Sequence, residues 1–272
     1  MQTPDLVTID NGRLSVVAEF LPALRAAGLD SMDKVMALPS QDVVRAVPGR
    51  STVRVELPPW VAYLKRYEPA YLTAGDRLLR AVHWPRADDE ASREWRKMFL
   101  LRERGFLTAS PVALGQLRRG GVVVSSFLMQ QEINGGQPAD EYLQGLPGPR
   151  RRRLLPQLGA LARRLREAGL IHKDLYLKHI FVVERGDDWD LYLIDLQRVL
   201  GPRRHRDRWY LKDAAALAHS TRVRARGSKT DLLRLYRGYA PGGPDRRFVR
   251  KVWARMERLR RHPPKYKRVW NG

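Results

Sequence analysis

The spacing of apolar residues changes character near the middle of the chain, and that change limits what the chain can fold into. Up to about residue 131 the apolar residues fall in short β-rich runs: DVVRAV, STVRVEL, VAYLKRY, PVALGQL and VVVSSFLMQ. Pro48-Gly49 and Pro58-Pro59 separate the first three, which read as an antiparallel meander, and RRGG joins the last two as a hairpin. Beyond the glycine-rich joint INGGQP the period becomes helical. Ala139–Gln144 predicts one helix, and Leu154, Leu158, Leu161 and Leu165 recur on one face of a long helix that Gly169 stops. Two brief strands, IFVV and DLYLI, joined by ERGDDW, precede three further helical patterns. The order predicts an α+β chain with an antiparallel, β-rich N-lobe over 42–131, a hinge, and a mainly α-helical C-lobe over 132–272.

Two segments sit outside that scheme. Val16–Ala27 has helical spacing closed by Gly28, and Asp30 or Ser31 is placed to cap a second helix through Leu38, so residues 1–41 read as a short helical extension. After a basic connector through Pro85, Asp88 or Asp89 caps a helix running to Arg104, with Gly105 as its stop. Glu94 shares a stripe of that helix with Met98 and Leu101, which puts a lone carboxylate on an apolar face. A buried acid needs a partner, and Lys65 in VAYLKRY is the candidate.

The 51 Lys and Arg against 29 Asp and Glu give a net charge of +22, so the chain repels itself and attracts anions. A hydrophobic share of 43% rules out wholesale disorder. The absence of cysteine excludes disulfides, thiolate metal sites and a cysteine nucleophile. Neither Val122–Met129 nor Leu191–Leu196 approaches the ~20 apolar residues of a membrane span. The opening MQTPDLVTIDNGRL lacks the basic-then-apolar pattern of a secretory signal. A cytoplasmic protein that touches a membrane without crossing it is therefore expected. The basic clusters Arg150–Arg153 and Arg203–Arg208 are expected to meet an anionic partner. A nucleic-acid partner is not expected, because no helix-turn-helix or zinc-finger spacing is present. GSKT at Gly227–Thr230 lacks the Gly-Lys pair of a phosphate loop, and Thr230 reads as a helix cap.

The densest chemical signal is IHKDLYLKH, Ile171–His179, between a helix stop and a strand, followed by Ile194-Asp195 at the end of the next strand. Phosphoryl transfer needs one carboxylate to orient or deprotonate the attacking hydroxyl and another to hold Mg²⁺ against ATP phosphates. Asp174 and Asp195 supply both. The same template asks for a strand lysine on the phosphates and a helix glutamate to hold it, which Lys65 and Glu94 provide. His172 reads as a packing residue bracing the loop. Lys178 is open to either an ordinary surface role or a phosphate contact.

At REW around Glu94, SFLMQQE, GLIHKDLYLKHIFV, LIDLQR and RWYLKDAAALAHS the sequence resembles the lipopolysaccharide core kinases, the Kdo/heptose kinase family with a protein-kinase-like fold. The resemblance runs from about Val43 to Tyr239. In that family the loop reads His-Arg-Asp-x-Tyr-x-x-His and the metal strand Ile-Asp-Leu-His-Arg; here Lys173 replaces the Arg and Gln197 the second His. It implies Lys65 and Glu94 as the ion pair, Asp174 as catalytic base, Asp195 as Mg²⁺ ligand and His179 beside the metal or a phosphate. Asp213 would anchor the catalytic loop through its amides. Backbone groups of Gln131, Glu132 and Ile133 would meet adenine, and the turn VPGRSTV, with Gly49 and the Arg50 charge, would cover the phosphates. Lys65 and Asp195 are expected to meet in a cleft between lobes. The implied reaction is ATP- and Mg²⁺-dependent phosphorylation of a lipid-linked core sugar, heptose or Kdo, at the cytoplasmic face of the inner membrane, whose anionic surface would attract the +22 chain. The alternatives are a protein or other small-molecule acceptor, or a non-catalytic kinase-like module that binds anionic partners.

Overall fold

A computed structural model describes residues 4–39, 42–68, 89–120, 122–202, 207–243 and 245–261. The basic connector through Pro85 and most of the Arg203–Arg208 cluster lie outside the described residues. The chain divides into two compact units: the first runs to Gly105 and includes Ala109–Glu132, and the second holds Phe106–Thr108 and the residues from Ile133 on.

The first unit is built on a seven-stranded antiparallel sheet. Its strands are β1 (Leu6–Ile9), β2 (Leu14–Val17), β3 (Asp42–Val47), β4 (Arg50–Leu57), β5 (Trp60–Tyr67), β7 (Pro111–Arg119) and β8 (Val122–Gln131), in the order β1-β2-β7-β8-β5-β4-β3. The expected meander is β3-β4-β5, and the RRGG hairpin joins β7 to β8. In β5, Ala62 and Leu64 are buried on one face while Tyr63 and Lys65 share the other, as a period of two requires. Helix α3 (Glu90–Glu103) buries Ala91, Glu94, Trp95, Met98 and Leu101. Its start is fixed by Asp89, whose side chain accepts from the Ser92 amide at 3.1 Å and from Gln116 of β7 at 2.5 Å. That cap sets the rotation of the helix and hence the direction of Glu94.

The N-terminal stretch departs from the purely helical reading. Helices α1 (Leu21–Ala26) and α2 (Met32–Met36) are present, with Ser31 capping α2 and Gly28 at φ +71°. Val16 and Val17, however, belong to β2, which pairs with β7 and adds the β1-β2 hairpin to the sheet. The turn is made by Asp10, Asn11 and Gly12, all with positive φ. Asn-Gly between short apolar runs is a hairpin signal, and pairing with β7 overrides the weak helical spacing that begins at Val16.

The second unit is mainly helical. It contains α4 (Ala139–Gly145), α5 (Gly148–Glu167), α6 (Asp207–Val223), α7 (Lys229–Tyr239) and α8 (Arg246–Arg261), with a small sheet of β6 (Leu107–Thr108), β11 (Asp188–Leu193), β10 (Ile180–Arg185) and β9 (Gln137–Pro138) in that order. The leucine stripe of α5 is buried throughout. Gly159 of α5 faces the Leu235 carbonyl, and Gly238 of α7 faces that of Pro156, so a methyl group at either position would overlap backbone. Those two glycines let the helices approach backbone to backbone. At the C-terminus of α5, Gly169 takes φ +67° and turns the chain into the loop that carries Asp174. Helix α7 is capped by Ser228, which forms a reciprocal capping box with Asp231; Thr230 lies within the first turn and is not the cap.

Candidate active site

In the first unit, Lys65 Nζ lies 2.5 Å from Glu94 Oε1, and the Glu94 side chain is only 1% exposed. The pair expected from the apolar face of α3 is therefore formed. The β3–β4 turn carries Gly49 at φ +71°, and the Arg50 guanidinium lies 3.6 Å from Glu90 and over the Tyr67 ring. Around the expected adenine contacts, the Gln131 amide donates to Ser110 O and the Glu132 amide to Val61 O, each at 2.8 Å. The Glu132 carboxylate accepts from Arg54 at 3.1 Å and Tyr63 at 2.9 Å, and Ile133 O accepts from the Gly136 amide.

The second unit brings Asp174, His179 and Asp195 together on adjoining turns. One oxygen of Asp213, on α6, accepts from the backbone amides of His172 at 2.7 Å and Lys173 at 3.2 Å. That is the loop anchor the resemblance implied. One helical face adds a second anchor: Ser220, seven residues on, accepts from the Leu177 amide at 3.0 Å. Between these supports Lys173 sits at φ +72° and Asp195 at φ +56°, unusual values for residues other than glycine. Burial pushes the Asp213 carboxyl up to about 6, against the pull of the two amides.

Two imidazoles have tautomers fixed by what they touch. His172 is fully buried and faces Ile194 O at 3.1 Å through Nε2; a carbonyl only accepts, so Nε2 carries the proton. Burial lowers its pKa to about 4, so it braces Ile194, the residue before Asp195, as a neutral ring. His179 donates from Nδ1 to Asp174 O at 2.7 Å, which leaves the Nε2 lone pair 3.7 Å from Asp195 Oδ2. Burial also lowers the pKa of His179. In the neutral form two acceptors face each other across 3.7 Å. No group of three metal-ligating side chains occurs among the described residues. The Asp195 carboxylate suits a hard divalent ion, whereas an imidazole nitrogen is a poor ligand for one and is better matched to a water bound to it or a phosphate oxygen.

Asp174 itself is engaged by residues that sequence reasoning did not single out. Arg198 Nη1 lies 2.6 Å from its Oδ2 and Lys212 Nζ 3.6 Å from its Oδ1. Both stand inside motifs already conspicuous in the sequence, Arg198 three residues after Asp195 and Lys212 next to Asp213. Their convergence depends on tertiary structure. The Arg150–Arg153 cluster serves the chain itself more than a partner: Arg150 pairs with Glu184, Arg151 with Asp231, and Arg153 donates to Asp187 O.

Two tests follow from this geometry. Lys65→Ala should cost about 3–5 kcal/mol in urea unfolding, because it strands the Glu94 charge, and the double replacement by methionines should recover most of that loss. Equal losses in the two variants would show that the pair is not the cause. Asp213 holds its proton more tightly folded than unfolded, so its contribution to stability is complete below its ordinary value of 3.8 and disappears as pH rises through about 6. The melting temperature of the wild type relative to Asp213→Asn should fall across that window; parallel curves would contradict it.

Comparison with known proteins agrees with the geometry. Residues 40–239 match the model of the lipopolysaccharide kinase (Kdo/WaaP) family. The lipopolysaccharide core heptose(I) kinase WaaP of Pseudomonas aeruginosa is 28% identical over 158 residues, 55% of this chain and 59% of that protein. The matched region thus spans somewhat under two thirds of that relative's length. The Escherichia coli K12 protein of the same name is 25% identical over 181 residues, 63% of this chain and 68% of the relative. A solved structure of WaaP in complex with acyl carrier protein superposes with a TM-score of 0.65 at 26% identity, covering 93% of this chain and 97% of that one. The α+β architecture is accordingly protein-kinase-like, and the chain belongs to the lipopolysaccharide kinase (Kdo/WaaP) family.

Proposed function

We propose that the chain is an ATP-dependent kinase that phosphorylates a hydroxyl of a heptose or Kdo in the lipopolysaccharide inner core. The observation that carries this reading is the loop from His172 to His179. Its amides are pinned by Asp213, its central residue Asp174 presents a carboxylate, and its last residue faces Asp195 acceptor to acceptor.

In this reading Asp174 takes the proton of the attacking hydroxyl as that oxygen bonds to the γ-phosphorus and ADP leaves. Lys65, held by Glu94, contacts the nucleotide phosphates. Asp195 would hold a magnesium ion, with His179 on the ion, on a water bound to it or on a phosphate oxygen, and the ion would neutralise phosphate charge. The turn at Gly49 covers the phosphates. Because the Gln131 and Glu132 amides donate within the sheet, these residues meet adenine through their carbonyl oxygens, beside Ile133. No helix among the described residues is long and apolar enough to cross a membrane. Work at the cytoplasmic face of the inner membrane fits a charge of +22, since each basic residue near an anionic leaflet contributes about 1 kcal/mol.

Acyl carrier protein, the partner of the solved relative, is proposed as a partner here too. Helices α6, α7 and α8 line an open groove of about 770 Å³ with Leu217, Leu235, Phe248 and Trp253, and Lys229, Arg246 and Arg250 also border it. Trp253 is 52% exposed and Leu233 59%. An apolar chain delivered by a carrier protein would cover this surface.

With labelled ATP and dephosphorylated core oligosaccharide, Asp174→Asn should lower kcat by about 100-fold or more while nucleotide binding stays as in the wild type. Wild-type turnover by this variant would reject the base. Leu233→Asp should weaken capture of purified acyl carrier protein; unchanged capture would place the partner elsewhere.

A further inference from the structure

If Asp174 is the base, its surroundings are more cationic than a neutral hydroxyl requires. Arg198 and Lys212 each face one oxygen of its carboxylate, so two positive groups meet one negative group. The other acids nearby are turned to other groups. Asp213, beside Lys212 on α6, gives one oxygen to the loop amides. His179 donates to the backbone carbonyl of Asp174 and points its other nitrogen at Asp195. Lys173 adds a further ammonium, which lies over the Trp209 ring at 5.1 Å.

The two cations differ in freedom. Lys212 is 20% exposed and held on a helix. Arg198 is 56% exposed and lies in the short 3-10 turn Leu196–Arg198 that follows β11. Its planar fork suits two oxygens of a carboxylate or phosphate, and the bond to Asp174 occupies one edge of it. A guanidinium resting on Asp174 fills the place where the acceptor hydroxyl must come. That obstruction vanishes if the guanidinium swings to another anion when the acceptor arrives.

We propose that Arg198, assisted by Lys212, is a subsite for an anionic group of the acceptor, a carboxylate or phosphate near the reacting hydroxyl. The guanidinium is parked on Asp174 until that group draws it away. Neutral sugars then leave the base latched, and charged core sugars release it. This inference rests on the reading of Asp174 as the base.

Equilibrium binding of core oligosaccharide, measured without nucleotide, tests the subsite apart from turnover. Three forms, all with the reacting hydroxyl unphosphorylated, are compared: otherwise intact, with carboxylates reduced to alcohols, and stripped of their remaining phosphates. A charge-assisted hydrogen bond carries about 1.5–3 kcal/mol, so one of the two modified forms should bind the wild type at least about tenfold more weakly. Which form loses affinity identifies the anion. Arg198→Gln should bind all three forms alike at the lower affinity, and Arg198→Lys should keep part of the preference. Equal binding of all forms to the wild type, or an undiminished preference in Arg198→Gln, would overturn the subsite. Turnover by Asp174→Asn, measured in parallel, reports on the base alone, so the two readings fail by different results.

Discussion

One carboxylate oxygen organises the second unit. Asp213 Oδ2 accepts two consecutive amides, presented by a chain that turns into the left-handed region at Lys173. Once that turn is fixed, the Asp174 side chain has a set direction and its carbonyl points where His179 can donate to it. The tautomer of His179 follows from that bond, and the lone pair facing Asp195 follows from the tautomer. Ser220 repeats the same device one helical face further along α6, holding the Leu177 amide. Helix α6 is thus the template against which the loop is moulded, and the loop's unusual backbone angles persist because the helix over-determines them.

The carboxylates are separated by environment into different tasks. Glu94 is buried against the Lys65 ammonium, Asp213 against backbone amides, and Asp174 lies beside Arg198 and Lys212. Burial raises the Asp213 carboxyl, so its charge depends on pH near 6. Its amide bonds need only an acceptor oxygen, which a protonated acid still offers. The anchor is therefore held across a pH range in which the charge around Asp174 changes.

Much of this was legible in the sequence, and the reasons differ between residues. Periodicity placed β3, β4, β5, β7, β8 and α5, because burial on one face imposes spacing that no other structure shares. Glu94 was legible as a charge among apolar neighbours. The β1-β2 hairpin was obscured by the five apolar residues among Val16 to Leu21, compatible with two periods, and pairing with β7 decided between them. Arg198 and Lys212 were invisible as partners of Asp174. They lie 24 and 38 residues away, and no local rule links an arginine to a distant carboxylate. The Arg150–Arg153 run misled in the opposite sense: its charges look free in sequence, yet the fold supplies carboxylates and carbonyls to three of them.

The imidazole at position 179 shows how one substitution of residue type reshapes a site. In the protein-kinase pattern an asparagine stands five residues after the aspartate, and its carboxamide offers an oxygen with two lone pairs. His179 stands there instead. Its Nδ1 is committed to the loop's own backbone, so a single lone pair remains, and the bond to Asp174 O fixes its direction. Nitrogen is a softer donor than the carboxamide oxygen it replaces, and a hard cation prefers oxygen, so Asp195 is the better ligand of the two for such an ion.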